Sequence, residues 1–109
     1  MTNIFNIKKQ DTLPKLAVTL QYNDGTPIDL TGGSVFFHMG NLQDYSYFYS
    51  GTAEITNASN GNVQYSWLGS PDTFVTGNYW GEFRVEWTGS QLTLPNDHSL
   101  KINVFEDYI

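Results

Sequence analysis

The amino-acid sequence predicts an all-β chain, and three observations carry that prediction. Apolar and polar residues alternate with a period of two in run after run, as strands with one dry and one wet face require. No window shows the i, i+3, i+4, i+7 spacing of an amphipathic helix. Gly, Asn, Asp and Pro punctuate the runs at short intervals, supplying residues that impose or tolerate turn geometry.

The chain opens on a short, less regular strand at Ile4 to Lys9. Lys15 to Tyr22 then places Leu16, Val18, Leu20 and Tyr22 on one face, with Lys15, Thr19 and Gln21 opposite. Asn23-Asp24-Gly25 supplies a turn. Ser34 to Met39 groups Val35, Phe37 and Met39, leaving Phe36 and His38 on the other side. Asn41 to Ser50 reads either as a long loop or as an aromatic edge strand. Thr52 to Thr56 offers Ala53 and Ile55 to a core, and Asn62 to Trp67 offers Val63, Tyr65 and Trp67. Between them Asn60-Gly61 is a strong short hairpin signal. The clearest strand is Asn78 to Trp87, where Tyr79, Gly81, Phe83, Val85 and Trp87 alternate with Trp80, Glu82, Arg84 and Glu86. Thr88-Gly89-Ser90 turns the chain into Leu92-Thr93-Leu94, and Pro95-Asn96-Asp97 interrupts pairing. A last strand over Ser99 to Phe105 directs Leu100, Ile102 and Val104 inward. Seven to eight short, mostly antiparallel strands with regular turns imply a β-sandwich of immunoglobulin-like connectivity, with a small barrel as the alternative topology.

At 109 residues the chain is expected to form one domain over residues 1–109, burying roughly 65% of its unfolded surface. It contains no cysteine, which removes disulfides, thiolate metal ligands and thiol nucleophiles. Five basic residues stand against eleven acidic ones, for a formal charge of −6. Lys8, Lys9, Lys15, Arg84 and Lys101 are dispersed rather than striped, so no nucleic-acid partner is expected. The N-terminal segment lacks the charged and apolar regions of a secretory leader. No apolar run approaches the roughly 18 residues that would span a bilayer. The expectation is a soluble chain made in its host's cytoplasm, with no membrane partner.

Catalysis finds little material. Nucleophilic chemistry needs a Ser, Thr or Cys with a His base and an orienting carboxylate. His38 lies on the outward face of a predicted strand and His98 follows a turn; neither accompanies a nucleophile-elbow pattern. His38, His98 and Asp97 lack tight ligand spacing, so no metal or cofactor is expected. Glu82 and Glu86 lie about 13 Å apart along a strand at about 3.3 Å per residue, too far for a glycosidase pair. With Arg84 between them they read as a charge ladder. Asn57-Ala58-Ser59 matches a glycosylation acceptor, but without a leader it carries no weight.

Aromatic residues make up 16% of the chain, favoured both on pleated half-buried surfaces and at interfaces. Tyr45, Tyr47, Phe48, Tyr49 and Trp80 form the candidate interface set. In an extended segment Tyr45, Tyr47 and Tyr49 share a face and Phe48 faces away. Three readings stand: completion of the core, a protein interface, or a sugar-stacking platform using Tyr47, Tyr49 and Trp80.

Several segments, in order, carry a resemblance: Asp11-Thr12-Leu13-Pro14, the Leu16/Val18/Leu20 strand, Asn23 to Gly32, and Ser34 to Met39. Gly61-Asn62-Val63-Gln64-Tyr65, Asp72-Thr73, Gly77-Asn78-Tyr79, Glu82-Phe83 and Thr93-Leu94-Pro95-Asn96 continue it. Together they resemble the N-terminal β-sandwich domain of the tailed-phage baseplate upper protein family, over nearly the whole chain. The resemblance implies a non-enzymatic virion building block that attaches to other structural proteins, forms homo-oligomers in a symmetric particle and resides in the virion. Family members of this type continue into extensions that hold receptor-binding proteins, whereas this sequence stops at Ile109. The expectation is therefore a tail, baseplate or head-tail component assembling through sheet edges, termini or the Tyr45 to Tyr49 segment. The alternatives are a capsid decoration protein and, from another class, a carbohydrate-binding module.

Overall fold

A computed structural model describes residues 3–44, 46–95 and 100–106. Among the described residues there are eight strands and no helix: β1 (Asn3–Lys8), β2 (Leu16–Thr19), β3 (Ser34–Asn41), β4 (Tyr47–Asn57), β5 (Asn62–Tyr65), β6 (Gly77–Trp87), β7 (Ser90–Leu94) and β8 (Leu100–Phe105). The expected all-β class and strand number are what the structure shows. Hydrogen bonding runs β1-β8-β6-β3-β4-β5-β2, and β7 pairs with the distal half of β6. Pairing is antiparallel except between β1 and β8, which run parallel from Asn3↔Leu100 to Lys8↔Phe105. The first part of β4 pairs with β3, the second with β5. One long strand thus serves both halves of a sheet that folds over on itself, nearly as a barrel.

The period-2 pattern explains which faces meet inside. Val35, Phe37 and Met39 of β3, Tyr79, Phe83 and Val85 of β6, and Leu100, Ile102 and Val104 of β8 are all buried. Val63 and Tyr65 of β5, with Trp67 just beyond it, come from the facing half. Phe37 stands at the centre, stacked on Tyr65 at 4.5 Å and packed against Phe83 at 5.3 Å and the edge of Trp67 at 5.7 Å. Aromatic pairs in these offset and edge geometries add about 0.5–1.5 kcal/mol beyond area burial. The hairpin read from Asn60-Gly61 closes β4 onto β5. Gly61 sits at φ +72°, where a Cβ would also lie 2.5 Å from the Leu20 carbonyl oxygen, so only glycine fits.

Some boundaries move. The second strand ends at Thr19, because Gln21 bridges to Pro27 across a tight turn. Tyr22 is consequently 52% exposed rather than part of the core. The ambiguous Asn41 to Ser50 segment is a turn followed by strand: residues 42–44 reverse the chain, and Tyr47 begins β4. The expected break at Asn96-Asp97, and His98 and Ser99, lie outside the described residues.

The register sorts the connections to two ends of an elongated body, 45 × 25 × 23 Å. At one end lie the β1–β2, β3–β4 and β5–β6 loops and the last residues of β8. At the other lie the β2–β3 loop and the β4–β5 and β6–β7 hairpins.

Phe37→Ala should cost about 3–5 kcal/mol, a large share of the roughly 5–15 kcal/mol that stabilises an ordinary domain. A urea titration checks this, and a midpoint close to the wild-type value would show that the centre of the core lies elsewhere.

Candidate functional site

The aromatic set divides because of one irregularity. Met39 pairs with Tyr49 but Gly40 pairs with Tyr47, so Phe48 is an extra residue in the ladder, a β-bulge. The bulge breaks the alternation expected of an extended segment. Phe48 packs on Tyr79 at 4.9 Å and Tyr49 approaches Tyr65 at 6.3 Å, both half-buried against the core. Tyr47 is left on the outer face, 69% exposed. The shared face expected for Tyr47 and Tyr49 is therefore not formed, and Phe48 does not point away from the core. Tyr45 lies outside the described residues.

Trp80 is on the outward face of β6, as the alternation predicts, yet only 2% exposed. It lies across Gly40 of the neighbouring strand: a Cβ there would sit 2.3 Å from the indole and 2.3 Å from the Ser46 carbonyl oxygen. Tyr47 covers it edge-on at 5.4 Å and also meets His38 at 5.7 Å. A small second aromatic cluster thus forms outside the main core. Its indole offers no flat face for a sugar to stack on.

His38 is 8% exposed, and its Nδ1 is hydrogen-bonded to Ser50 Oγ at 2.7 Å. Cross-strand register brings the two together, and the same register sets His38 opposite Glu82. No local pattern announces this pair, because histidine and serine stand twelve residues apart on strands whose pairing is set by the fold. Activating a serine needs a base whose second nitrogen is oriented by another group. Among the described residues His38 Nε2 has no hydrogen-bond partner. Burial, and secondarily Arg84, lower the His38 pKa, opposed by Glu82 and Glu86. The ladder read at Glu82, Arg84 and Glu86 includes an ion pair of 2.9 Å between Arg84 Nε and Glu86 Oε2.

The most organised polar group is one that residue patterns do not single out. Asp72 is fully buried in the β5–β6 loop. Its carboxylate accepts from Tyr65 OH at 2.5 Å, Leu68 N–H at 2.9 Å, Gly69 N–H at 3.0 Å and Thr73 N–H at 2.8 Å. A buried carboxylate without such donors would be costly; with them it ties a loop together. Burial first, then Asp72, push the Tyr65 phenol far above its ordinary range, so it remains a donor. Tyr79 clamps the same loop, donating to the Val75 carbonyl at 2.7 Å. The β1–β2 loop is fastened alongside: Gln10 N–H donates to Thr73 O at 2.8 Å, and Thr73 Oγ1 donates to Asp11 O at 3.1 Å.

This scaffold holds apolar side chains in water. Among the described residues, Leu13, Tyr47, Leu68, Phe74, Val75 and Phe105 all lie at this end, out of eight exposed large apolar residues in total. An open cleft of about 530 Å³ between residues 41–43 and 75–79 lies beside them. Single exposed apolar residues are ordinary, but several gathered at one end of a domain suit an interaction surface. Sequence periodicity missed this end because its residues belong to loops, where no alternation applies. The Ser70-Pro71-Asp72-Thr73 turn signal was the available clue.

The comparisons with known proteins point one way. Residues 1–94 match the family model described as the BppU N-terminal domain, BppU being the baseplate upper protein. A search of curated proteins found no match. The matched segment carries β1 to β7, and β8, inserted between β1 and β6, lies beyond it.

Asp72→Ala should destabilise by about 3–5 kcal/mol, since several buried donors lose their acceptor at about 1–3 kcal/mol each. Hydrogen exchange at Leu68, Gly69 and Thr73 should accelerate beyond the global change; unaltered protection there would show that the carboxylate does not organise the loop. His38 yields a pH dependence of definite sign. Below its ordinary value of 6.5, the unfolded chain takes up a proton that native His38 resists, so stability falls as pH drops from about 6.5 toward the lower folded value. Above 6.5 both states are neutral and the contribution is flat. His38→Gln should remove that slope in a series of melting temperatures across pH, and an identical slope in the variant would contradict it.

Proposed function

This chain belongs to the BppU N-terminal domain family, a phage baseplate and tail structural family, and from that premise we propose that it is a non-enzymatic assembly domain of the virion. The match over residues 1–94 is the observation that carries the reading. What the fold adds is a mechanism of attachment. A domain that docks rigidly on other virion proteins needs a surface that does not have to be ordered on contact, since ordering side chains and loops subtracts from affinity. The Asp72-centred loops supply one, and the apolar side chains they present supply the contact area.

The same geometry supports docking through this end rather than through the full aromatic set expected from the sequence. Phe48 and Tyr49 are half-buried and Trp80 is buried, so Tyr47 remains as the accessible member among those described. The Ser50 and His38 pair, whose second ring nitrogen has no orienting partner among the described residues, adds no support for an enzyme. Within the particle, the family points to the tail and baseplate.

Antibody labelling of purified virions by electron microscopy is the test. Label at a repeated position on the tail or baseplate is the expected outcome. Label confined to the head would replace this reading with capsid decoration, and intact particles free of the protein would refute a virion role.

A further inference from the structure

The geometry points to a glycan-binding site on the outer face of the sheet where β1, β8 and β6 meet, built from a row of asparagines and the cleft beside it, with a neutral, polyhydroxylated chain as its ligand. This goes beyond assembly and rests on the cross-strand register.

Asn6 of β1 pairs with Asn103 of β8, and Asn103 pairs in turn with Asn78 of β6. Three asparagines therefore stand side by side on neighbouring strands. They face outward, since Phe5, Ile7, Ile102, Val104 and Tyr79, which flank them along the chain, turn toward the core. Asparagine is disfavoured in strands, and a local preference overridden on three adjacent strands marks a position with work other than folding. Asn103 Nδ2 donates to Asn6 Oδ1 at 3.1 Å, which orients both amides. That bond uses one N–H and one oxygen, whereas each amide offers two N–H donors and an acceptor. Most of the hydrogen-bonding capacity of the row is left for a ligand.

The row leads into the open cleft, because Asn78 belongs to both. Asn41, Gln43 and Thr76 also line the cleft, with Leu42 and Val75. Leu42 N–H donates to Asn78 O at 3.2 Å and Gln43 N–H to Asn41 Oδ1 at 2.7 Å, so the wall opposite Asn78 is held in place. The volume of about 530 Å³ falls within the roughly 300–1,000 Å³ of small-ligand sites. No residue lining the cleft is charged. Lys8 and Lys101 stand on the same face, each two residues along its strand from the row, and Glu82 stands four from Asn78, so charge flanks the site without lining it. Amides suit hydroxyl groups, which both donate and accept. The strand spacing of about 4.8 Å is close to the length of one sugar ring in an extended chain, so successive asparagines can meet successive rings. A peptide strand fits less well, since it adds to an open sheet edge and the row lies on a face, where only side chains reach. Tyr47, on β4 two strands beyond β6 and 69% exposed, supplies an aromatic ring at the border of the site.

Affinity electrophoresis of the purified chain tests this independently of particle labelling, so either result can fail alone. The gels contain dextran, mannan or β-glucan, with polygalacturonate as the acidic control. Wild-type protein should be retarded by at least one of the neutral polymers and run freely in polygalacturonate. Asn78→Val with Asn103→Val should weaken that retardation by roughly tenfold in apparent affinity, the worth of one or two hydrogen bonds. Both side chains face solvent and valine is favoured in strands, so the double variant should melt near the wild-type temperature. Gln43→Ala, on the opposite wall and outside the strands, should weaken binding in the same direction and serves if the double variant melts lower. A wild-type chain unretarded by every neutral polymer would overturn the proposal. So would binding confined to polygalacturonate, which would mean recognition by charge, or retardation that survives both variants, which would place the sugar elsewhere.

Discussion

The hydrogen bond from Tyr65 to Asp72 is the interaction on which the rest of the molecule turns. Tyr65 is at once a core residue, stacked on Phe37 and edge-on to Trp67, and the donor that meets a fully buried carboxylate. Its ring belongs to the hydrophobic economy of the folded sheet and its hydroxyl to the polar order of the loops. Low dielectric strengthens such a bond and makes its loss expensive. The loops at this end are therefore held by the same residue that joins the two halves of the core. That coupling explains how Leu68, Phe74 and Val75 remain outward in water: the backbone beneath them is held by Asp72 and Tyr79, and rearranging it to hide them would abandon those bonds.

Most of the fold was legible because burial in a β-sheet leaves a local trace. Leu100, Ile102 and Val104, or Tyr79, Phe83 and Val85, are inward in the structure for the reason they alternate in the sequence: a strand with one buried face must repeat every second residue. Tyr22 shows where the inference ends. It continues the spacing of Leu16, Val18 and Leu20, but the adjacent turn, bridged from Gln21 to Pro27, ends the pleat before it. Parallel pairing of β1 with β8 joins segments about a hundred residues apart, and no local pattern encodes such a partnership.

The candidate site was legible only in its composition. The cluster Tyr47, Phe48, Tyr49 and Trp80 was found by residue type, and its disposition follows from one inserted residue opposite Met39 and Gly40. A bulge carries no sequence signature apart from its consequences, and it moves every later side chain to the other face. Trp80 illustrates a second difficulty. Alternation places it correctly on the outer face, but exposure depends on what a neighbouring strand lays over it, here Tyr47 above and an absent side chain at Gly40 below. Outward and exposed are separate properties, and only the first is periodic.

The sheet edges argue for the ends as places of attachment. Among the described residues the open stretches include β1, β2, β7, which pairs with β6 alone, and the first half of β4, which pairs with β3 alone. Open edges invite indiscriminate pairing, and natural sheets blunt them by brevity, charge or bulges. β2 has four residues and β7 five, β1 turns Asn6 and Lys8 outward, and the free part of β4 carries the bulge at Phe48. Each device makes addition of another strand harder. No comparable protection covers the loops around Asp72, where apolar side chains stand exposed on a rigid base. A fold that defends its edges while leaving one end apolar directs association to that end, because contact there requires no change in hydrogen bonding of the sheet.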